Sequence, residues 1–238
     1  MKRVALALLG VTALAILLGL GTWQLQRLAW KEALIAAATL RPNAPAVPPP
    51  GPDAWPGFSI DDWNYRRVRL TGTFAPATAR AWIVLGEPNG PLGGEGHFAV
   101  SPFRTEDGFT VMVNRGFVPK SEASPPPPAG PVTVEGLVRR DDPPAFITPE
   151  PDLEAALFFT RDISGMASAL GAATPIAPYS VDLVAAETPA SGVPQAGESR
   201  IRFSNNHLQY ALTWYGLAGT LVGVAGVAIW RRRQKLSA

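Results

Sequence analysis

The chain has 238 residues and a formal net charge of +2 at pH 7; 47% of its residues are hydrophobic and only 17% are charged. It has no cysteine, which excludes disulfides, thiolate nucleophiles, iron–sulfur clusters and cysteine zinc sites. The basic residues sit in terminal clusters without interleaved aromatic residues, so we expect no nucleic-acid partner. Domains commonly run to about 100 to 200 residues, so the length allows one globular domain plus membrane anchors.

The first apolar run starts at Val4 and carries no charge as far as Thr22. This length approaches the roughly 20 residues that cross a bilayer, so we predict a transmembrane helix over residues 4–22. The helical pattern continues over residues 23–41 and predicts a helical extension on the outer face. A cleaved signal peptide is the alternative, because the run has a basic start.

The second apolar run predicts a transmembrane helix over residues 208–230, and a basic tail of residues 231–238 follows it. Positive charge is retained in the cytoplasm, so both termini are predicted to lie there, with the middle of the chain on the outer face. Gly219 and Gly223 form a G-x-x-x-G spacing that would let the first span approach closely. The alternative is that glycine is simply common in membrane helices.

Between the anchors, residues 42–56 are rich in proline. Because the fixed φ angle and missing N–H of proline exclude helix and interior strand, we predict a connecting spacer. Residues 57–205 form the predicted outer domain. Within it, period-two patterns separated by turns predict strands over residues 65–74, 80–85, 97–103, 109–119, 132–140 and 178–184.

One short helix is predicted over residues 161–171, with Asp162 accepting hydrogen bonds from its first turn and Gly171 ending it. Regularly spaced strands with short turns favour a β barrel or sandwich over a doubly wound fold. The predicted fold is therefore a membrane protein with two transmembrane α-helices that flank a strand-dominated, α+β outer domain.

Common catalytic motifs are missing from the sequence, including G-x-S-x-G, the P-loop and H-E-x-x-H. His97 follows a glycine-rich stretch, "PLGGEGHF", which we interpret as a hairpin loop because the residues after it have a strand pattern. We therefore predict that the protein is not an enzyme. A hydrolase on the outer face that uses His97 is the alternative class.

The stretch "VNRGFVP" interrupts a predicted strand with the polar residues Asn114 and Arg115 and with Gly116. Such an interruption is typical of a β-bulge that redirects side chains. Arg115 is therefore a candidate binding residue. The alternative is an ion pair between Arg115 and Asp107 or Glu135.

The stretch "NNHLQYALTWYG" places polar residues at the start of the second span. On a helix, His207, Tyr210 and Trp214 follow one another at i, i+3 and i+7, so they share one stripe. An amphipathic ligand at this depth could keep its charged end in water and its tail in lipid. A neutral imidazole there can bind iron, whereas a structural, hydrogen-bonding histidine is the alternative.

Four pieces of the chain, "GTWQLQRLAWK", "YRRVRLTGTF", "VNRGFVP" and "NNHLQYALTWYGLA", resemble in this order the Surfeit locus protein one family. The resemblance implies a membrane protein with two anchors that assists assembly of haem-copper cytochrome c oxidase. It also implies haem a as a transiently bound cofactor, because bacterial members are associated with it. One departure is Phe117, where the family usually has tryptophan.

The resemblance also implies site residues. The family histidine of the second anchor falls on His207, and the tryptophan, glutamine and arginine of the first anchor fall on Trp23, Gln24 and Arg27. His207 would ligate the haem iron, Arg27 would bind a propionate, and Trp23 and Trp214 would flank the ring. Tyr210 and Arg115 complete the expected binding set. Asn205 and Asn206 are expected to cap the helix.

The expected function is a non-enzymatic haem a chaperone that acts on the largest oxidase subunit, with haem a synthase and membrane lipid as further partners. The basic residues directly before the first span leave no room for a transit peptide, so we expect the bacterial cytoplasmic (inner) membrane and a periplasmic central domain. The alternative is a haem-free scaffold that binds assembling oxidase subunits.

Overall fold

The computed structural model describes residues 2–142, 144–199 and 206–237. It consists of two compact units: Met1–Ala37 with Ile201–Ala238, and Ala38–Arg200. In chain order the elements are α1 (Lys2–Leu40), α2 (Ile60–Trp63), β1 (Arg67–Phe74), β2 (Ala79–Leu85), β3 (Gly94–Thr105), β4 (Thr110–Pro119), β5 (Pro131–Arg139), β6 (Leu157–Phe158), α3 (Ile163–Ala169), β7 (Ile176–Leu183) and α4 (His207–Ser237).

The first unit contains the two long helices, α1 and α4. Each has a stretch that is long and apolar enough to cross a membrane, Leu8–Ala33 in α1 and His207–Arg231 in α4. The prediction of two apolar helices that flank a strand-dominated domain is therefore confirmed. Helix α1 runs without a break from the predicted span through the predicted extension.

The two long helices run antiparallel, because Gln24 contacts His207 while Thr22, which lies earlier on α1, contacts Tyr215, which lies later on α4. Their contact depends on a glycine. A Cβ atom added to Gly21 would lie 2.9 Å from the ring of Tyr215, so this ring rests directly on the backbone of α1. No sequence pattern indicated this contact.

The prediction that Gly219 and Gly223 receive the first span is wrong. A Cβ atom added to either glycine would meet no atom within 4 Å. The positions of α4 that are most covered include Ala211, Trp214 and Ala218, which follow at the three-and-four spacing of a coiled coil. The glycines fall outside this seam and lie on the exposed surface of α4.

The second unit is built on one sheet with the strand order β1-β5-β7-β4-β3-β2-β6, and an additional pairing joins β1 to β3. This pairing closes β1, β5, β7, β4 and β3 into a ring, from which β2 and β6 extend. Within the ring, only β4 and β7 pair in parallel. A five-stranded Greek-key barrel of this type is found in OB folds. The barrel alternative is therefore correct and the sandwich is not.

Most of the predicted local structure of the barrel is confirmed. Each predicted strand corresponds to an observed strand with ends shifted by a few residues, whereas β6 and α2 were not predicted. The side chain of Asp162 accepts a hydrogen bond from the backbone N–H of Gly165 at 2.8 Å, which caps α3. Gly171 has a φ of +60° just after this helix, as expected of a left-handed end.

Residues 42–56 differ from the predicted spacer, because they pack on the barrel and include part of the 3-10 helix Pro52–Gly57. The carbonyl of Pro50 accepts hydrogen bonds from the indole N–H of Trp55 and from the buried hydroxyl of Tyr179. Proline lacks a donor but keeps its acceptor, and it fits the first turn of a helix well. The segment therefore docks through its carbonyl groups and through Trp55, which packs on the core.

A cluster of charges is buried in the wall of the barrel. Asp182 is only 2% exposed, and its two carboxylate oxygens accept hydrogen bonds from Arg161 at 2.5 and 3.0 Å. Arg139 lies 3.8 Å from the same carboxylate, and the hydroxyl of Ser199 donates to it. No sequence pattern indicated this cluster, because its members are far apart along the chain.

Candidate functional site

The predicted site residues other than Arg115 all lie on α1 and α4, and two of them are in direct contact. Nδ1 of His207 lies 2.7 Å from Oε1 of Gln24, and Gln24 is only 9% exposed. Because a carbonyl oxygen can only accept, the histidine nitrogen donates and Nδ1 carries the proton. In the neutral form of the ring the lone pair is then on Nε2, to which no residue in the described part of the chain is hydrogen-bonded.

This arrangement suits a metal ligand. Histidines that bind metals usually donate their other ring N–H to a carbonyl or carboxylate oxygen, which fixes the tautomer and the orientation of the ring. Gln24 supplies that acceptor to His207. The alternative interpretation, a structural hydrogen-bonding histidine, has the same contact, so the geometry alone is compatible with both.

The two flanks of the helix pair differ. On one flank the ring of Tyr215 covers Gly21, and its hydroxyl lies 3.1 Å from the hydroxyl of Thr22. A helix turns by about 100° per residue, so Tyr210 points away from this flank, as do Trp23 and Arg27 on the antiparallel partner. These three residues therefore share the opposite flank, beside the contact between Gln24 and His207.

The aromatic residues of this flank are accessible. Trp23 is 49% exposed and Tyr210 is 54% exposed, whereas Trp214 is half-buried closer to the seam. The guanidinium of Arg27 lies 4.8 Å from the ring centroid of Trp30 and 5.9 Å from that of Trp23, a cation–π arrangement. Trp30 was not among the predicted site residues, although its i+3 spacing from Arg27 could have indicated the contact.

Asn206 occupies the N-cap position of α4. Its backbone carbonyl accepts a hydrogen bond from the N–H of Tyr210 at 3.2 Å, which begins the helical series. The predicted capping role of Asn205 lies outside the described residues.

Arg115 lies in the barrel, at the predicted bulge. The pairing of β3 with β4 shifts at this point, so that Arg115 and Gly116 together oppose a single residue of β3. Gly116 has a φ of +136°, which few other residues adopt. The prediction that this polar interruption forms a β-bulge is therefore confirmed.

The bulge turns Arg115 inward rather than toward a carboxylate. The side chain is only 4% exposed and donates hydrogen bonds to the hydroxyl groups of Ser101 and Thr78, both at 3.2 Å, and to the carbonyl of Pro125 at 2.8 Å. The alternative of an ion pair with Asp107 or Glu135 is wrong, because the three groups that accept hydrogen bonds from Arg115 are neutral. Glu135 instead pairs with two arginines of β1.

His97 gives little support to a hydrolase. It lies on β3 after the hairpin from β2, as the hairpin interpretation predicted, and Nε2 is hydrogen-bonded to the hydroxyl of Ser124. Burial lowers the pKa of His97, and the nearby cation of Arg80 lowers it further. A serine–histidine pair that activates a nucleophile has a carboxylate as the charged neighbour of its histidine. The charged neighbour that acts on His97 is a cation.

Multidentate metal sites are not formed by the residues that the structure describes: none of their histidine, aspartate and glutamate side chains gather in groups of three or more. A metal held at His207 would therefore need most of its ligands from elsewhere. Haem iron meets this condition, because the porphyrin supplies four nitrogen ligands and the protein adds an axial one.

Comparison with known proteins is consistent with the motif resemblance. The SURF1 family model matches residues 11–219. The chain is 33% identical over 215 residues to Surfeit locus protein 1 of Rattus norvegicus, covering 84% of this chain and 67% of that protein. It is 34% identical over 230 residues to Surfeit locus protein 1 of Homo sapiens, covering 90% and 72%. A SURF1-like protein of Monosiga brevicollis is 34% identical over 215 residues, covering 84% and 78%. The chain belongs to the SURF1 family.

Proposed function

We propose that the protein is a non-enzymatic assembly factor of haem-copper cytochrome c oxidase that binds haem a and assists its insertion into the largest oxidase subunit. Membership of the SURF1 family implies the role in cytochrome oxidase assembly. The haem step rests on one observation, the hydrogen bond between His207 and Gln24.

His207 would provide the axial ligand. With its proton on Nδ1, the imidazole presents a lone pair on Nε2, and Gln24 holds the ring in place from the seam between the helices. Haem a brings the redox-active iron, and the protein contributes binding and orientation. A histidine whose Nδ1 proton is held by such a hydrogen bond binds iron through Nε2 without a change of tautomer.

The flank beside His207 would hold the rest of the ligand. Trp23 and Tyr210 expose aromatic surface against which a macrocycle can pack. Arg27 stacks its guanidinium face on Trp30, but its N–H donors lie in the plane of the group and stay available to a propionate. The apolar tail of haem a would then lie along lipid, as would the adjoining parts of α1 and α4.

We place the protein in the cytoplasmic membrane of a bacterium, with both termini in the cytoplasm and the barrel in the periplasm. The two apolar helices support membrane insertion. The basic residues that follow the apolar stretch of α4 support the orientation, because positive charge is retained on the cytoplasmic side. In this arrangement Gln24 and His207 lie toward the periplasmic end, where membrane lipid, the largest oxidase subunit and a haem a synthase could all be reached.

The test is the absorption spectrum of the full-length protein purified from cells that make haem a. The wild-type protein should carry a haem spectrum, and His207→Ala should abolish it or shift it strongly while the protein still inserts into the membrane. Gln24→Leu should shift the spectrum and weaken retention, because the ring loses its orienting acceptor. Gln26→Leu, on the exposed side of α1, is the matched control and should leave the spectrum unchanged.

An unchanged spectrum in the His207→Ala protein would show that the ligand assignment is wrong. Retention of haem by Arg27→Ala should be weakened without loss of the axial ligand, so its spectrum should keep its shape at lower intensity. The different spectral changes expected for His207→Ala and Arg27→Ala distinguish the iron ligand from the residue that binds the propionate.

The haem-free scaffold is the second candidate, and one surface favours it. Phe146 and Ile147 are 105% and 87% exposed in the loop before β6, which is unusual for two adjacent large apolar side chains. A protein partner that covers this pair would bury apolar area without any haem. A colourless purified protein that still supports oxidase assembly would favour the scaffold.

A further inference from the structure

The barrel contains a cavity of about 350 Å³ at one end, where β1 and β7 finish and β5 begins. Its floor is formed by Phe74, Val134 and Leu183, which belong to the core of the barrel. Its remaining wall comes from two proline-containing loops, one after β4 and one after β7. Ligand sites commonly have volumes of about 300 to 1,000 Å³, and the mouth of a barrel is a frequent location.

Arg115 lines this cavity and has unused donors. A guanidinium carries five N–H groups. Nε and Nη2 account for three of them through the bonds to Ser101, Thr78 and Pro125. The two N–H groups of Nη1 donate to no side chain or carbonyl of the described residues. Nη1 is also not one of the fully buried side-chain atoms without a hydrogen-bond partner, so it is accessible. Because Arg115 lines the cavity, these two N–H groups are the donors available to a ligand there.

The charge of Arg115 is also uncompensated. Arg139 and Arg161 of the buried cluster pair with Asp182, but none of the ion pairs among the described residues includes Arg115. Burial lowers the pKa of Arg115 to about 10, so it keeps its charge at neutral pH. A buried charge without a counter-ion is unfavourable, and an anionic ligand would offset part of that cost.

We infer that this cavity binds a carboxylate with an apolar body, independently of any haem at the helix pair. The carboxylate would accept hydrogen bonds from Nη1 of Arg115, while the body would pack on Phe74, Val134 and Leu183. Glu187 also lines the cavity, but it forms no ion pair with Arg115, and its Oε1 accepts a hydrogen bond from the backbone N–H of Glu135 at 3.0 Å. Its charge opposes any anion in the cavity, so only the single carboxylate that Arg115 binds is favoured, and a second negative charge on the ligand is not. The ligand class is therefore a monocarboxylate, from either a free acid or the C-terminal residue of a protein chain.

The test uses the full-length protein in nanodiscs of phosphatidylcholine, which has no net charge and so does not compete for Arg115. The probe is para-fluorophenylacetate, observed by fluorine NMR, with para-fluorophenylacetamide as its uncharged analogue. We expect the signal of the acid to broaden and the amide to bind about tenfold more weakly or worse, because hydrogen bonds to charged groups are the stronger ones. Equal binding of the acid and the amide would overturn the proposal.

Two variants locate the binding. Arg115→Met should abolish it, whereas Arg104→Met, which removes an arginine of β3 that does not line the cavity, is the matched control. Arg115→Met also removes hydrogen bonds within the barrel, so a second variant is needed. Ser191→Trp places an indole at the exposed rim and keeps Arg115, and it should block the probe as well. Undiminished binding to both variants would refute the assignment.

The source of the natural carboxylate is assigned by competition. A short peptide with an apolar C-terminal residue is compared with the same peptide amidated at its C-terminus. Displacement of the probe by the peptide acid alone supports the C-terminus of a partner chain as the ligand. Failure of both peptides, with the small acid still bound, supports a free monocarboxylic acid.

Discussion

Asp182→Asn should destabilise the barrel strongly. The substitution keeps the size of the side chain but removes a carboxylate that accepts two hydrogen bonds from Arg161 and lies 3.8 Å from Arg139. Both arginines are largely buried, with side-chain exposures of 14% and 10%. Arg139 would lose its counter-ion, and Arg161 would keep only the 56% exposed Asp142, whose carboxylate lies 3.6 Å away. Neither arginine could recover full hydration.

The expected size follows from breaking a buried ion pair by removal of one partner, which costs about 3–5 kcal/mol. For a domain of this size, each kcal/mol lowers the melting temperature by about 2–4 °C, so the expected shift is about 6–20 °C. The assay is thermal unfolding of the full-length protein in detergent, followed by tryptophan fluorescence. Trp55 and Trp63, which pack on the core of the barrel, contribute to this signal.

Glu135→Gln is the matched control, because this carboxylate also bridges two arginines, Arg67 and Arg69. The guanidinium side chain of Arg69 is 60% exposed, so water can replace the lost interaction and the melting temperature should change far less. Equal shifts for the two variants, or no shift for Asp182→Asn, would refute the claim that burial makes the difference.

The same carboxylate predicts a pH dependence: burial alone would raise the pKa of Asp182, but its two arginine partners hold this pKa below its usual range. Its contribution to stability is therefore present above about pH 4 and lost as pH falls, so the melting temperature of Asp182→Asn should decline less steeply with acid than that of the wild type. Gly116→Ala should lower the melting temperature, because the new Cβ would lie 2.4 Å from backbone atoms of the loop after β7 and because a φ of +136° is strained for alanine. Gly57→Ala is the control and should leave the melting temperature unchanged, because its Cβ would meet no atom within 4 Å. Asp162→Ala should destabilise the barrel by about 1 kcal/mol in urea unfolding through loss of the N-cap, and a change within error would contradict the capping role.

Local signals in the sequence predicted local structure well. Asp162 and Gly171 bracket a short helix because a side-chain acceptor and a left-handed residue act on their own neighbours. Asn114, Arg115 and Gly116 predicted the bulge for the same reason, since a positive φ at the glycine is a property of that position. None of these features requires knowledge of which distant segment lies nearby.

The errors concern contacts between distant segments. Gly219 and Gly223 would permit close approach of another helix, but their presence does not determine which face of α4 packs against α1. That choice depends on the heptad seam of both helices, to which Gly21 and Gln24 belong. Likewise, the register of β3 against β4 decides that Arg115 meets hydroxyl groups and a carbonyl instead of a carboxylate.

The candidate site was predicted only in part from residues. The stripe of His207, Tyr210 and Trp214 follows from helical spacing, whereas Gln24 entered through the family resemblance. The contact between Gln24 and His207 joins residues 183 positions apart, and helical periodicity within either segment cannot pair them. A heptad alignment of the two apolar segments could have brought them to the same level.

Strand β7 lies between β4 and β5, although it follows both in the chain. Until Ile176–Leu183 has been synthesised, β4 and β5 each have an edge of unpaired N–H and C=O groups, which are templates for pairing with other chains. The nascent domain therefore passes through a long interval in which it cannot protect these edges. Chains that end before Ile176 should aggregate instead of persisting as a smaller folded domain.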